Sequence, residues 1–576
     1  MKKKLRLLVI LLLCAALLSG CAAVPLTGLF GRLIDKVFDE IPHFDDMKYE
    51  RPQAALDDIE RNLTRLEKAF ETGASFRTVT RLLDRCYEDY YHFDTMYCLA
   101  EIRSCRDMSD EYYAEELAWC LDAYYDLQDM MEDMYYLCGG SPMAERLERD
   151  YFWEGFAGEY ADASLSIYTD ESLELMHRES ALLSEYRELT ASPSVTLGDG
   201  READLYSTLA EADDEAYYEA LMAYYRQYNA EMSRLYIELV KTRRELASLL
   251  GYDSYEQMAY SDSFDRDYTP EQAARYLAEV REQIVPLYEE LDDWAADYPW
   301  LEEEELIAVL RQGAEAMGGE VEEAFRFMEH YELFDVSLSE NKAGKSFQTY
   351  LSDYRAPFVF VDPYGDDSDI LSFAHEFGHF LDAYVNYNAS ESIDVAEVFS
   401  QSMEYLMLDY AEGALSEERL ENLRRLKWLD TLELYVQQAS FAAFEKAVYA
   451  ADPEQLDADF LNELSLRVAV DYGYYDGYSE EYYALSWIDI VHFFEQPFYV
   501  VSYPVSNDLA LQIWELEQGE PGAGLRKYLE ALPRDYDGMI ATAEAAGLES
   551  PFAEGRVAKT AEDLRRNLGL SLAQAA

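Results

Sequence analysis

Positive charge is scarce in this sequence. Its 47 lysines and arginines face 116 aspartates and glutamates, a formal balance of −69 at pH 7 over 576 residues. A polyanion of that strength repels phosphate backbones, which excludes nucleic acid as a partner. The excess acid is read first as a solvated surface and only second as a preference for cationic ligands. Cysteine is sparse too. Past Cys21 there are Cys86, Cys98, Cys105, Cys120 and Cys138, none in C-x-x-C spacing, which argues against a zinc ribbon. Both ordinary buried thiols and one or two disulfides are compatible with these five, and their odd number leaves at least one thiol over. No repeat of fixed period stands out.

What the chain does have is length and aromatic mass. At 576 residues, with 49% hydrophobic content and 49 tyrosines, it exceeds the size of a single growing core and has ample area to bury. The first twenty residues, MKKKLRLLVILLLCAALLSG, combine a basic start, an apolar run and small residues before Cys21, the layout of a secretory signal. The run LVILLLCAALL is too short to span a bilayer comfortably. Leu18-Ser19-Gly20-Cys21 looks like a lipobox, so residues 1–20 are expected to be removed and Cys21 lipidated, anchoring the chain on the extracytoplasmic face of the cell membrane.

Helical periodicity dominates the rest. From about Ala54 to Thr190, segments such as ELAWCLDAYYDLQDMMEDMYYL repeat apolar positions at three- and four-residue spacing, as stacked amphipathic helices do. ASPSVTLGDG, from Ala191 to Gly200, interrupts the pattern and is taken as a boundary between an N-terminal helical region, 21–190, and a second region, 191–576. Periodicity then resumes, and Thr269-Pro270-Glu271 supplies a helix cap, a first-turn proline and an acid. One stretch breaks the habit. FQTY and PFVFV, bounded by Pro357, Pro363 and Gly365, carry strand signals immediately before SDILSFAHEFGHFLDAY.

That last segment places His375, Glu376 and His379 in an apolar helix. Stepping about 100° per residue from His375, Phe373, Ala374, Phe377, Phe380, Leu381 and Tyr384 fall at about 140° to 260°, while His379 lies at about 40°. Both histidines therefore oppose the apolar stripe. Imidazoles four residues apart on one face can direct ring nitrogens at one divalent ion, and Glu376 can reach a water on that ion, the H-E-x-x-H arrangement of zinc peptidases. Such a zinc keeps an open position and lowers the pKa of water there, which permits attack on a peptide carbonyl near neutral pH. A third ligand is wanted. The next helix, SIDVAEVFSQSMEYLML, offers Glu397 and Glu404, seven apart and so on one face, and spacing favours Glu397 without excluding Glu404.

These residues resemble the thimet oligopeptidase and oligoendopeptidase F family of zinc metallopeptidases. The likeness runs through TRRELASLLGYDSYEQMAYSDSFDRDYTPEQAARYLAEVREQIVPLY, APFVFVDPYGDDSDILSFAHEFGH, VAEVFSQSMEYL and HFFEQPFYVVSYP, in order, and covers about Thr190 to the C-terminus. The resemblance implies His375, His379 and Glu397 as ligands of one Zn²⁺, and Glu376 as general base and then proton donor to the leaving amine. It implies that His492, Tyr499 and Tyr503 bind substrate and stabilise the oxyanion. It further implies a mainly α fold in which two helical lobes enclose a deep channel that admits short peptides, with a small β-sheet beside the H-E-x-x-H helix. PFVFV would be the strand on which an extended peptide lies.

Two features depart from many relatives: Asp382 stands where they have a third histidine, and the lipobox precedes a chain whose relatives are often cytosolic. The glycines of DYGYYDGYSEEYY suggest a mobile loop beside the substrate. The expectation is a membrane-anchored zinc endopeptidase acting on short peptides. A non-catalytic peptide-binding lipoprotein and a dipeptide-releasing exopeptidase with the same zinc chemistry are the alternatives.

Overall fold

In the computed structural model, residues 41–570 are described except 163–168, 192, 206, 207, 209–213, 292–296, 340, 388–391, 474–478 and 533–537. The leader, Cys21 and the centre of the Tyr-Gly loop at 474–478 lie outside the described residues. Of the part up to Met47, the described residues contain one short 3₁₀ turn, Phe44–Asp46. From Lys48 onward the chain clusters as one compact unit.

The fold is mainly α, as its periodicity predicts. Near the N-terminus, α1 (Gln53–Glu71), α2 (Phe76–Arg106) and α3 (Glu111–Gly139) pack on one another through Ile59, Leu66, Leu83, Phe93, Leu127 and Met134, all essentially buried. The Ser75 hydroxyl accepts from Thr78 N at the start of α2, and Asp110 accepts from Tyr112 N and Tyr113 N at the start of α3, satisfying amides that a helix leaves unpaired. The five described cysteines are free and buried, so of the two readings of these residues the structure has buried thiols.

At the ASPSVTLGDG interruption and just past it, β1 (Ser194–Thr196) pairs antiparallel with β2 (Glu202–Asp204), between α4 (Asp170–Ala191) and α5 (Asp214–Leu249), which pack against each other. Thr269 caps the next segment as its sequence predicts: its hydroxyl accepts from Gln272 N, and the Gln272 side chain accepts from Thr269 N.

FQTY and PFVFV form strands, but not in the arrangement expected. The sheet runs β3 (Phe334–Asp335), β5 (Ala356–Phe360), β4 (Phe347–Leu351), with β5 in the middle. It pairs antiparallel with β4 along its whole length and parallel with β3 at Val359 and Phe360. Flanked by β4 along its whole length and by β3 at its last two residues, β5 is the central strand and not the free edge that β-augmentation by a peptide needs. Strand signals locate strands, whereas sheet order depends on long-range pairing that local sequence does not encode. Every residue of β5 is buried.

The turn after β5 feeds α6 (Asp369–Asn386), the histidine helix. The Asp369 carboxylate collects the amides of Tyr364, Gly365 and Asp366 at 2.8, 2.7 and 3.1 Å, fixing the angle at which α6 leaves the sheet. Gly365 has φ +83°, and a Cβ there would meet the Trp300 ring. Three further helices bear on the site: α7 (Ile393–Tyr410), which packs against α6, α8 (Glu417–Ala450), and α9 (Ser502–Gly519), which packs against α7. No described helix is long and apolar enough to cross a membrane.

Candidate metal centre and its surroundings

Helix α6 carries the apolar stripe expected of it: Phe373, Ala374, Phe377, Phe380 and Leu381 are fully buried. The face opposite is not open, however. Glu376 and Asp382 are also buried, and the side chains of His375 and His379 keep only 23% and 16% of their surface, because α7 covers that side.

The two helices approach closely at one point. A Cβ on Gly378 would lie 2.6 Å from Ser400 Cα and 2.7 Å from Phe399 O, so only glycine fits within this H-E-x-x-H segment. Backbone contact at that point lets a side chain from α7 reach both histidines. Glu397 Oε2 is 3.4 Å from His375 Nε2, and Glu397 Oε1 is 3.8 Å from His379 Nε2. One ligand atom from each of the three residues lies within 4.8 Å of the others. Two neutral imidazoles and one carboxylate converging in this way fit a divalent cation of the zinc type, with room for a fourth ligand.

Glu404 stands one helical repeat further along α7 and serves differently. Its Oε1 is 2.8 Å from His375 Nδ1, and its Oε2 accepts from Lys427 Nζ of α8 at 2.6 Å. An Nδ1–H donated to Glu404 leaves the Nε2 lone pair of His375 for a cation, the carboxylate–histidine relay common behind metal ligands. Glu397 is held in turn by Ser400 Oγ at 3.0 Å and by the Tyr499 phenol at 2.8 Å. Spacing alone does not separate the roles of two acids on one face, and the close contact at Gly378 does.

Electrostatics follow from burial and crowding. Burial pulls the His375 imidazolium down, but Glu397, Glu404 and Glu376 outweigh it and raise it to about 9. Burial pushes the Glu376 carboxyl up to about 8, and its Oε2 finds no hydrogen-bond partner in the protein. Burial also opposes ionisation of Glu397, yet His375, His379 and the hydroxyls of Tyr499 and Ser400 bring it below the usual carboxylate value. These directions describe the cluster without an ion. A bound cation displaces the protons of its ligands.

His492 lies in the short helix Val491–Glu495, Tyr499 in the turn that follows, and Tyr503 in the first turn of α9. Tyr503 Oη is 3.2 Å from His492 Nε2, and the Tyr499 and Tyr503 rings are 5.1 Å apart. Burial lowers the His492 pKa, which favours the neutral ring. A cavity of about 270 Å³ opens beside Tyr503, lined also by His375, Gln401, Glu404, Lys427 and Asp430 among others. The structure thus brings all seven predicted site residues together. Asp382 is buried on α6 and accepts from Asn386 Nδ2 at 2.8 Å.

Three buried charged residues outside the H-E-x-x-H segment hold the irregular stretch from His492 to Tyr503. Arg243 of α5 donates to the carbonyls of Phe493 and Phe494 and, at 2.6 Å, to Glu179. Glu445 of α8 accepts from Phe498 N at 3.1 and 3.2 Å, and Phe498 itself sits at φ +67°. Arg266 donates to Ser502 Oγ at 2.8 Å. Local sequence does not mark them as buried: Arg243 stands between Thr242 and Arg244, and Arg266 between Asp265 and Asp267.

Residues 44–159 match the model of the peptidase M3 N-terminal domain, and residues 211–299 and 322–534 match that of peptidase family M3, which alone covers more than half the chain. Similar solved structures include an oligoendopeptidase F (24% identity, TM-score 0.79, covering 92% of this chain and 99% of that one). Others are a PZ peptidase A with an inhibitor (22%, 0.78, 91% and 99%) and an oligoendopeptidase F from Bacillus anthracis (23%, 0.73, 92% and 99%). No curated protein sequence matches significantly.

Proposed function

The chain belongs to peptidase family M3 and is a peptidase, and from that premise we propose that it is a zinc-dependent endopeptidase of short peptides. The observation that carries this reading is the convergence of His375, His379 and Glu397 next to a buried, unpartnered Glu376 and an adjoining cavity. His375, His379 and Glu397 would hold one Zn²⁺, which when bound lowers the pKa of water and polarises a carbonyl.

The remaining chemistry belongs to the protein. Glu376 accepts the proton of the attacking water and delivers it to the leaving amine. Tyr503, facing the cavity and steadied by His492, donates its phenol O–H to the oxyanion as charge develops, where a water-poor surrounding makes that bond strong. Tyr499, whose phenol is committed to Glu397, keeps that carboxylate in place. Two lobes around a channel would restrict substrates to short peptides. The lipobox-like Leu18–Cys21 supports anchoring at the outer face of the membrane through Cys21.

The test is a quenched peptide of about ten residues, incubated with and without chelator, together with Glu376→Gln. We expect chelation to abolish cleavage, and Glu376→Gln to retain zinc while losing about 10²–10⁴-fold in kcat. Zinc-loaded Glu376→Gln with full turnover would remove the base. Mass spectrometry on end-blocked peptides should show internal cuts, and stepwise dipeptide release would make it an exopeptidase. No turnover by the zinc-loaded wild type would leave only peptide binding.

A further inference from the structure

Arg266 is a cation placed where a cation is hard to keep. Its side chain has no exposed surface, and three rings wall it off: Tyr260, Phe264 and Tyr268, with centroids 4.4, 4.5 and 5.5 Å from the guanidinium carbon. Its Nε lies 3.4 Å from Oδ2 of Asp394, itself 1% exposed. Its Nη2 donates to Ser502 Oγ at 2.8 Å and lies 3.5 Å from the Tyr499 carbonyl. Replacing a buried ion pair with well-packed apolar side chains is often neutral or stabilising, so burial of this pair is weak evidence for a role in stability alone.

Its connections do. Asp394 lies in the first turn of α7, three residues before Glu397. Tyr499, whose carbonyl faces Arg266, donates its phenol to Glu397. The contacts therefore close a ring: Arg266 to the Tyr499 backbone, the Tyr499 phenol to Glu397, Glu397 along α7 to Asp394, and Asp394 back to Arg266. The loop presenting Arg266 is pinned as well, by Arg266 N to Tyr260 O at 2.8 Å and by Asp267, which accepts from Ile540 N and Ala541 N.

We propose that Arg266 is a positioning residue for the metal centre, its planar fork setting the register between the Tyr499 segment and α7 so that the Tyr499 phenol meets Glu397. This rests on the reading that Glu397 is a metal ligand. It does not need Arg266 to touch substrate or ion. Lysine keeps the charge but not the fork, so Arg266→Lys is the discriminating change.

The experiment is a double-mutant cycle on the full chain, read as Zn²⁺ affinity by competition with a chromophoric chelator and accompanied by melting curves. Arg266→Lys and Tyr499→Phe are each expected to weaken zinc binding about 10–100-fold, and the double variant to be no weaker than Tyr499→Phe alone. Asp394→Asn runs the same cycle with Tyr499→Phe and is expected to show the same lack of additivity, independently of any folding loss in Arg266→Lys. Losses that multiply in both double variants, or wild-type affinity in Arg266→Lys, would overturn the proposal. Turnover of the quenched peptide should follow the same pattern. A zinc-loaded wild type without turnover would refute the peptidase reaction while the zinc cycle still judges Arg266, and a wild type that binds no zinc would refute both.

Discussion

His375, His379 and Glu397 stand on two long helices, α6 and α7, whereas His492, Tyr499 and Tyr503 come from a short helix, a turn containing Phe498 at φ +67°, and the start of α9. In the first group the period of the helix aims the side chains, and one backbone contact at Gly378 sets their spacing. In the second, side chains are aimed by backbone groups tied to distant buried charges: Arg243, Glu445 and Arg266. The difference teaches that regular elements hold ligands through local geometry, while an irregular segment needs tertiary anchors to reach comparable order.

If the two groups divide the work, with the helices binding the ion, Tyr499 steadying Glu397 from the segment and Tyr503 serving turnover, their variants should separate. The largest effect is expected from Tyr503→Phe, which should lower kcat about 10²–10³-fold with zinc affinity and melting temperature near wild type. Steady-state kinetics beside a zinc titration checks this, and a parallel loss of zinc would erase the division. Next comes Glu404→Gln, which weakens the hold on His375 Nδ1 and leaves Lys427 without its carboxylate. It should weaken zinc binding about 10–100-fold, read by chelator competition, while kcat at saturating zinc changes less.

A third effect, on stability and not on turnover or zinc, concerns an anchor and pH. Burial raises the folded-state Glu445 carboxyl from 4.5 to about 8, against the opposing influence of Phe498 N, Arg243 and Arg266 and with Glu256 adding to it. A carboxyl whose folded pKa is raised binds a proton in the folded chain that the unfolded chain has already lost. Its contribution is therefore greatest below about 4.5 and falls by up to about 1.4 kcal/mol per pH unit until pH passes about 8. Glu445→Gln should flatten the dependence of stability on pH across that window in denaturant titrations. An unchanged slope would mean that Glu445 is not the group responsible.

The same contrast governs what the sequence reveals. His375 and His379 are legible because a four-residue spacing places both on one face of any helix. Glu397 and Glu404 share a face for the same reason, so periodicity identifies the pair without telling ligand from supporting carboxylate. The strands at FQTY and PFVFV are legible as strands, but the central place of β5 depends on β3, a two-residue strand more than twenty positions upstream in the chain. His492, Tyr499 and Tyr503 follow no period and emerge only through family resemblance. Arg243, Arg266 and Glu445 are hidden differently, since a charge in an amphipathic pattern reads as solvated until the packing around it is known.

Backbone contact between α6 and α7 at Gly378 also bears on what the chain does when its ion is taken away. Small zinc modules melt on chelation because the metal is their core. Here the spacing of the three donors is set by main-chain atoms meeting main-chain atoms where Gly378 approaches Phe399 and Ser400. Removing the ion should therefore be a reversible change of occupancy, with the fold left standing and the melting temperature after chelation near that of the loaded chain.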